Sequence, residues 1–339
     1  MAVLVTGGAG YIGSHMVHAL VEAGERVVVL DNLSTGFGWA IPAGVPLIVG
    51  ESGDQALVAN LIREHRADAI IHFAASIVVP DSVRDPLGYY RNNTVNSRAL
   101  IECAIKGGVR HFIFSSTAAV YGNPVEIPVR EDAPTVPVSP YGWSKLMTEI
   151  MLRDAGAAHG LQHVILRYFN VAGADPQGRT GQSTDGATHL IKVAVETALG
   201  LRRKMQVFGT DYQTPDGTCI RDYIHVSDLV RAHGDALRHL RGGAPSLTLN
   251  CGYGHGFSVR EVIEAVKRVS GVDFKVENAP RRAGDPARIV ADSSQIRKAL
   301  GWRPQLDDLS TIVGHAFAWE RALKARRAAT MEPAAVAAR

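Results

Sequence analysis

The sequence has few cysteines, no long apolar run and little net charge, and each shortage excludes a class of protein. Its three cysteines, Cys103, Cys219 and Cys251, share no metal-ligand spacing, so we expect reduced thiols and neither a disulfide framework nor a metal site. No apolar run is long enough to span a bilayer, and the first strand-like run leaves no room for a signal peptide, so we expect a cytoplasmic protein. A formal net charge of +3 gives no argument for nucleic acid or a membrane as partner.

Apolar residues are plentiful: they make up 46% of the 339-residue chain, which is enough to bury a sizeable core. Strand-like runs alternate with helical patterns through residues 1–175, and this rhythm predicts an α/β fold with a doubly wound parallel sheet, the Rossmann arrangement. The alternation becomes irregular in residues 176–330, for which we expect a smaller, interleaved α/β substrate-binding domain. Residues near 222–252 are predicted to return to the first domain, and residues 331–339 to form a flexible tail.

A glycine-rich turn follows the first apolar run. The spacing Gly8-x-Gly10-x-x-Gly13 fits the dinucleotide-binding fingerprint, and Gly7-x-x-Gly10-x-x-Gly13 is its looser form. One glycine turns the chain, a second lets the backbone approach a pyrophosphate, and a third lets the following helix pack on the strand and offer its free N–H groups. Asp31 ends the next apolar run and is placed to accept a hydrogen bond from a ribose 2′-hydroxyl, so its charge favours NAD over NADP.

Tyr141 and Lys145 lie four residues apart on a predicted helix, so their side chains share one face. A tyrosine is a poor base because its reference pKa is about 10, but a neighbouring ammonium and a positive nicotinamide would lower that pKa. Thr117 follows a predicted strand, and its hydroxyl can pass a proton or orient a substrate hydroxyl. It can equally cap the strand end, and Tyr141 and Lys145 can be an ordinary half-buried pair. The glycine-rich turn upstream favours the catalytic interpretation.

Three polar residues, Ser76, Thr117 and Asn170, each follow a predicted strand. In a doubly wound sheet, ligands bind beyond the carboxyl ends of the strands. We therefore expect one crevice to collect all three side chains.

Eight segments occur in a characteristic order along the chain: TGGAGYIGSH from Thr6, HFAAS from His72, YYRNN from Tyr89, FSSTAAVYG from Phe114, SPYGWSK from Ser139, LRYFNVAG from Leu166, GTCIRDYIHV from Gly217 and APRRAGDPA from Ala279. On this set, the chain resembles the UDP-glucose/UDP-galactose 4-epimerases of the extended short-chain dehydrogenase/reductase (NAD-dependent epimerase/dehydratase) family. The resemblance extends from Val3 to about Trp319. The resemblance implies reversible epimerisation of a UDP-hexose at C4 through a 4-keto intermediate, with transient hydride transfer to bound NAD. Tyr141 would take the 4-hydroxyl proton with help from Thr117, and Lys145 would bind the nicotinamide ribose and tune Tyr141.

The same resemblance implies the residues that bind NAD. The pyrophosphate would lie against Tyr11 and Ile12, and the adenosine ribose against Asp31 to Gly36. The implied set is Gly7, Gly10, Tyr11, Ile12, Gly13, Asp31, Asn32, Leu33, Ser34, Thr35, Gly36, Glu51, Ser52, Phe73, Ala74, Ala75, Ser76, Ile77, Asn92, Thr117, Tyr141, Lys145 and Phe169.

The resemblance also implies a substrate site that binds the UDP tightly. The implied set is Thr117, Tyr141, Asn170, Gln206, Val207, Phe208, Arg221, Arg282, Asp285 and Ile289. Two arginines can hold a diphosphate through charge-assisted hydrogen bonds, and a carboxylate can accept from a ribose hydroxyl. The alternative for Arg221 and Arg282 is a surface salt bridge of little energetic value.

Four positions depart from the family pattern. Glu51 replaces an aspartate near the adenine, and Ile77 replaces a lysine that some relatives place near the cofactor phosphates. His189 stands where a paired asparagine is expected near the substrate, which leaves its role open. Ile289 occupies a position that limits room for a 2-N-acetyl group, and an isoleucine leaves the wider substrate possible.

Three other functions are weighed against this one. A 4,6-dehydratase needs a carboxylic acid and base after the Ser-Ser-Thr sequence, and this chain has Ala118 and Ala119 there. A 4-epimerase for UDP-N-acetylglucosamine/UDP-N-acetylgalactosamine or a UDP-pentose stays open, and a non-catalytic NAD sensor is disfavoured because Tyr141 and Lys145 are both present. The family further implies a homodimer formed through the helices at about Leu87–Lys106 and Tyr141–His159.

Overall fold

Strands and helices alternate through the first half of the chain, as the apolar runs predict. The computed structural model describes residues 1–282 and 285–336, the side chains of residues 328–336 excepted. The strands are β1 (Ala2–Thr6), β2 (Val27–Asp31), β3 (Leu47–Val49), β4 (Ala67–His72), β5 (His111–Thr117), β6 (Gln162–Tyr168), β7 (Asn170–Ala172), β8 (Met205–Phe208), β9 (Ile220–Arg221), β10 (Tyr223–His225), β11 (Leu247–Cys251), β12 (Phe257–Ser258), β13 (Val276–Ala279) and β14 (Arg288–Ile289). The α-helices are α1 (Tyr11–Glu22), α2 (Gln55–His65), α3 (Val79–Arg84), α4 (Pro86–Tyr89), α5 (Asn96–Lys106), α6 (Pro140–His159), α7 (Leu190–Ala198), α8 (Val226–Arg241), α9 (Val259–Ser270), α10 (Ser294–Leu300) and α11 (Leu309–Val336).

Seven strands form one parallel sheet in the order β11-β6-β5-β4-β1-β2-β3. From β1 the chain proceeds to β2 and β3 on one side and to β4, β5 and β6 on the other, which is the doubly wound arrangement. Because successive side chains of a strand point to opposite faces, Val3 and Val5 enter one buried cluster with α1 and α8. Leu4 enters a second cluster with α2, α5 and α6 on the opposite face. The predicted fold class is confirmed.

Helix α6 begins and ends at residues that favour those positions. The Ser139 hydroxyl accepts a hydrogen bond from the Gly142 N–H, and Pro140 occupies the first helical position, where its missing N–H costs nothing. Gly160 ends the helix in the left-handed conformation. The helix expected at about Tyr141–His159 is confirmed.

The segment predicted as one helical pattern from Leu87 to Lys106 is not uniform. Between α4 and α5 the chain forms a π-helix over Tyr90–Val95. Such wider turns are rare and concentrate at functional sites. This one contains Asn92 and Asn93.

Small sheets lie beside the main one in the second half of the chain: β7 pairs with β10, β8 with β13, and β9 with both β12 and β14. From the segment predicted to return, 222–252, β11 forms the edge of the main sheet beside β6. The division into domains at residues 175 and 176 stays a prediction. So does the flexible tail: α11 reaches Val336, and residues 337–339 lie outside the described residues.

Candidate active site

The turn after β1 leaves no room for side chains. Gly7 has a φ of +73°, and a Cβ there would lie 2.5 Å from the Ala74 nitrogen. A Cβ on Gly13 would lie 2.1 Å from the Gly7 carbonyl oxygen, so α1 packs directly on the turn. Gly10 precedes α1 and supplies no capping side chain, which leaves the first N–H groups of the helix available to an anion. The turn therefore fits a pyrophosphate.

Asp31 is held against this turn from the end of β2. Its Oδ2 accepts from the Ala9 N–H at 2.9 Å, and its Oδ1 accepts from the Leu33 N–H at 2.8 Å. Each oxygen keeps a lone pair that a ribose hydroxyl can use. The carboxylate thus lies against the glycine-rich turn, and its contact with a ribose stays a prediction.

The loop after Asp31 folds over the same turn. The Ser34 N–H donates to Asn32 Oδ1 at 3.0 Å, and Asn32 Nδ2 donates to Glu51 Oε1 at 3.1 Å. Gly36 lies so close to Ala9 that a Cβ would be 2.8 Å from the Ala9 carbonyl carbon. The structure therefore brings the predicted adenosine-side residues together, including Glu51 in place of the expected aspartate.

The segment after β4 follows the same edge of the sheet. The N–H groups of Phe73 and Ala74 both donate to the Thr6 carbonyl oxygen, which fixes this segment beside the glycine-rich turn. Asn92 Nδ2 donates to the Ser76 hydroxyl at 2.8 Å, as expected of two residues that line one site. The Ile77 side chain is 48% exposed at the end of the segment.

Asn93 is a site residue that the sequence analysis missed. It is buried, its Oδ1 accepts from the Ser76 N–H at 2.8 Å, and its Nδ2 donates to the Ser76 carbonyl and to the Ser144 hydroxyl. It therefore connects the segment after β4 to α6. The paired asparagines were a visible signal, but regular helical spacing favours only one of them, and the π-helix turns both inward.

The catalytic candidates converge at the carboxyl end of β5. Lys145 Nζ donates to the Ser115 carbonyl oxygen at 3.0 Å and lies 4.9 Å from the centre of the Phe114 ring. The Tyr141 hydroxyl, one turn earlier on α6, lies beside the Thr117 side chain. Thr117 Oγ1 also accepts from the Ala119 N–H at 3.1 Å, so the strand-capping role and the proposed catalytic role coexist.

Burial dominates the electrostatics of this pair. It raises the pKa of Tyr141 to about 12, and the neighbouring Thr117 hydroxyl offsets only part of that shift. It lowers the pKa of Lys145 to about 7, although the nearby Glu149 carboxylate opposes the change. The expected low pKa of Tyr141 is therefore not a property of the chain alone. Desolvation of the phenolate outweighs what the neighbouring residues supply.

Two arginines and a carboxylate form the candidate diphosphate site. Arg221 Nη2 lies 3.7 Å from Asp285 Oδ1. The Arg282 guanidinium lies over the Phe208 ring, 3.8 Å from its centre. Arg281, by contrast, donates to Asp211 Oδ1 at 2.6 Å. This contact is an exposed salt bridge, the alternative that the sequence analysis gave for Arg221 and Arg282. The predicted substrate residues other than Thr117, Tyr141 and Asn170 thus lie on β8, β9 and β14 and in the loop between β13 and β14.

The buried apolar members of the predicted site, Val207, Ile289 and Phe169, can act only through their backbone or through the shape of their side chains. The Val207 side chain is buried in the main core, whereas Gln206 beside it is exposed. Ile289 and Phe169 pack in one buried cluster with Leu146, so they form a wall under α6.

Other positions lie nearby. Tyr11 donates from its hydroxyl to the Gly173 carbonyl oxygen at 2.7 Å. Asn170 and His189 line one cavity of about 30 Å³, which brings His189 near the site without assigning it a role.

Metal and membrane signals are lacking in the part of the chain that the structure describes. There, histidine, cysteine and carboxylate side chains form no group of three that could hold a metal ion. No described helix combines the length and the apolar character needed to cross a membrane.

Residues 3–252 match the NAD dependent epimerase/dehydratase family. A UDP-glucose 4-epimerase from Azospirillum brasilense is 61% identical over 322 residues, which cover 95% of this chain and 92% of the relative. The UDP-glucose 4-epimerase from Brucella ovis, solved in complex with NAD, superposes with a TM-score of 0.91 at 43% identity over 94% of this chain and 97% of that one. The UDP-glucose 4-epimerase from Stenotrophomonas maltophila was solved with NAD and formylated UDP-arabinopyranose. It superposes with a TM-score of 0.93 at 39% identity, over 96% of this chain and 99% of that one.

The glycine-rich turn, the placement of Asp31 and the Tyr141–Lys145 pair agree with these likenesses. The cofactor of the chain is NAD. The chain belongs to the NAD-dependent epimerase/dehydratase family.

Proposed function

We propose that this chain catalyses the reversible epimerisation of UDP-galactose and UDP-glucose at C4 of the hexose. The observation that carries the proposal is the seating of Tyr141 and Lys145 on Thr117 and Ser115, at the edge of the sheet that also holds the glycine-rich turn. Relatives of up to 61% identity are UDP-glucose 4-epimerases, which agrees with this chemistry.

Tyr141 acts as the base for the sugar 4-hydroxyl. The proton passes to the Tyr141 oxygen, directly or through the Thr117 hydroxyl, which can donate and accept at once. A bound NAD would supply the hydride acceptor and donor at C4, and inversion would result when the hydride is returned to the opposite face of the 4-keto sugar. Because the pKa of Tyr141 is about 12 in the chain alone, the reaction requires cationic charge beside the phenol. Lys145 in its ammonium form supplies part of it.

The UDP moiety anchors the substrate while the sugar turns. Arg221 and Arg282 bind the diphosphate through charge-assisted hydrogen bonds, and Asp285 accepts from a ribose hydroxyl. Phe208 holds the Arg282 guanidinium in place through the ring contact at 3.8 Å. A tightly bound nucleotide with a loosely bound sugar allows both faces of C4 to approach the cofactor.

The purified protein tests this function directly. It is incubated with UDP-galactose without added cofactor, and UDP-glucose is resolved by chromatography, with Tyr141→Phe as the control. Conversion that disappears in the variant supports the epimerase with resident NAD. UDP-N-acetylgalactosamine and UDP-xylose then measure the breadth of the site.

Two other outcomes would redirect the proposal. Conversion of only an N-acetylhexose or a pentose would leave the chemistry in place and change the substrate. If none of the three nucleotide sugars turned over while NAD stayed bound, the catalytic proposal would be wrong and a sensing role would replace it.

We also propose that the enzyme is a homodimer. On α6, Trp143, Met147 and Ile150 follow i, i+4, i+7 spacing and are 40%, 37% and 42% exposed. Val83 and Leu87, on α3 and α4, are 63% and 78% exposed. An apolar surface of this kind fits an interface with a second copy.

Its location in the cell is proposed to be the cytoplasm. Cys103, Cys219 and Cys251 are all buried as free thiols, the state that a reducing compartment maintains.

A further inference from the structure

A buried ion pair lies directly beneath the candidate catalytic pair. Glu149 follows Lys145 by one turn of α6 and is fully buried. Its carboxylate accepts hydrogen bonds from Arg167 on β6, from Nε at 3.0 Å and from Nη2 at 2.6 Å. A buried, two-pronged pair of this kind is costly to assemble, and well-packed apolar residues in place of both members are often no less stabilising. Its position suggests a second purpose.

The same carboxylate contacts the end of β5. The Ser116 hydroxyl donates to Glu149 Oε1. Consecutive residues of β5 therefore each face one side chain of α6: the Ser115 carbonyl accepts from Lys145, the Ser116 hydroxyl donates to Glu149, and Thr117 lies beside Tyr141. Removal of the middle contact would loosen the two contacts on either side of it.

We propose that Glu149 is a positioning residue of the active site, which seats α6 on β5 through Ser116 and keeps a negative charge one helical turn from Lys145. This inference rests on the proposed epimerisation, in which Lys145 acts as an ammonium ion. Glu149 touches neither substrate nor cofactor and acts through its neighbours.

The surroundings of Lys145 make the charge of Glu149 decisive. Lys145 is 3% exposed and faces the Ser115 carbonyl and the Phe114 ring from β5, with Tyr141 and Glu149 on its own helix. From β4 it faces His72, whose pKa burial lowers to about 3, so that this imidazole is neutral. His233 Nε2 from α8 is hydrogen-bonded to the Ser115 hydroxyl at 3.0 Å, and Tyr168 from β6 lies near the same serine. Neither side chain carries a charge near neutral pH. Glu149 is therefore the acid that favours the ammonium form of Lys145, whose pKa burial otherwise lowers to about 7.

Beyond Glu149, the ion pair continues into a buried polar network. Arg167 Nη1 donates to the Tyr121 hydroxyl at 2.9 Å, and the Tyr121 hydroxyl donates to Asn250 Oδ1 at 2.7 Å. Arg167 thus holds Glu149 from the side away from Lys145. Removal of Arg167 would leave Lys145 as the nearby cation that neutralises Glu149, which favours the ammonium form of Lys145.

Three variants separate the seating of α6 on β5 from the effect of the Glu149 charge. For each variant, kcat for UDP-galactose is measured from pH 6 to 9. Wild-type turnover is measured first, so that a failure of the proposed function is seen before any variant is judged. Glu149→Gln is expected to move the alkaline limb of the profile about one pH unit lower and to reduce kcat about tenfold at pH 8. Arg167→Gln is expected to move the same limb higher. Ser116→Ala is expected to reduce kcat at every pH without moving the limb.

Opposite shifts from the two members of one ion pair are the result that a merely structural role would not give. Bound NAD and the thermal midpoint of unfolding are measured for each variant to exclude cofactor loss and misfolding. If Glu149→Gln does not fold, the double variant with Arg167→Gln removes both charges and is expected to keep the downward shift. Limbs that do not move, or that move in the same direction in both single variants, would overturn the proposal.

Discussion

Gly13 is the residue at which the glycine-rich turn tolerates change least. A Cβ there would lie 2.1 Å from the Gly7 carbonyl oxygen, so Gly13→Ala must push α1 away from the turn. We expect the amount of bound NAD to fall about tenfold and the free energy of unfolding to fall by about 1–3 kcal/mol. Absorbance of the released cofactor and chemical unfolding measure the two effects.

Gly314→Ala is the matched control. Gly314 lies inside α11, and a Cβ there would meet no atom within 4 Å. This variant is expected to retain NAD and to gain about 0.5–1 kcal/mol, because alanine loses less conformational entropy in a helix. Equal NAD content in both variants would contradict the role assigned to the turn.

The adjacent arginines Arg281 and Arg282 are predicted to differ sharply. Arg282 lies over Phe208 and is proposed to bind the diphosphate, whereas Arg281 is bound to Asp211. We expect Arg282→Ala to raise KM for UDP-galactose about 10- to 100-fold, the value of a charged hydrogen bond of about 1.5–3 kcal/mol. Arg281→Ala should leave KM within about twofold. Steady-state kinetics of the two variants test the assignment, and equal effects would refute it.

At the scale of elements, the exposed apolar stripe on α6 predicts the assembly. Met147→Glu places a charge in the middle of that stripe, where burial against a second copy would be costly. We expect this variant to be monomeric at concentrations at which the wild type is a dimer, as measured by light scattering after size-exclusion chromatography.

Leu201→Glu provides the comparison, since Leu201 is 44% exposed just beyond α7 and away from the stripe. It should leave the oligomeric state unchanged. A dimer that survives Met147→Glu would move the interface elsewhere.

At the scale of the whole molecule, four buried histidines make stability depend on pH. Burial lowers the pKa of His15 and His233 to about 4 and of His72 and His225 to about 3. The unfolded chain takes up protons below pH of about 6.5, whereas the folded chain does so only near 3–4. The contribution of these histidines is therefore complete above about pH 6.5 and is lost as the pH falls toward 4.

Chemical unfolding at pH 7.5 and 5.5 measures this dependence. Each histidine contributes up to about 1.4 kcal/mol per pH unit within the window. His159→Gln, at an exposed position at the end of α6, is expected to leave the slope unchanged. Equal stability at the two pH values would show that these histidines ionise in the folded chain.

Much of the fold and of the site was predictable because its determinants are local. The helix α6 follows from Ser139, Pro140 and Gly160, and the spacing of Tyr141 and Lys145 places both on one face. The glycine-rich turn and Asp31 need only the strand before and the strand after them. The π-helix was not predictable in this way, since its register depends on what Asn92 and Asn93 contact across the chain.

The sequence by itself determined the α/β alternation, the glycine-rich turn and the shared helix face of Tyr141 and Lys145, because periodicity, caps and turns depend on residues close together in the chain. Only the tertiary structure decided the pKa values of Tyr141 and Lys145, since desolvation depends on everything packed around a group. It also decided the contact of Asn93 with Ser144, 51 residues away, and that of Glu149 with Arg167, 18 residues away. Such contacts exist only once the strands have paired and brought distant side chains within hydrogen-bond distance.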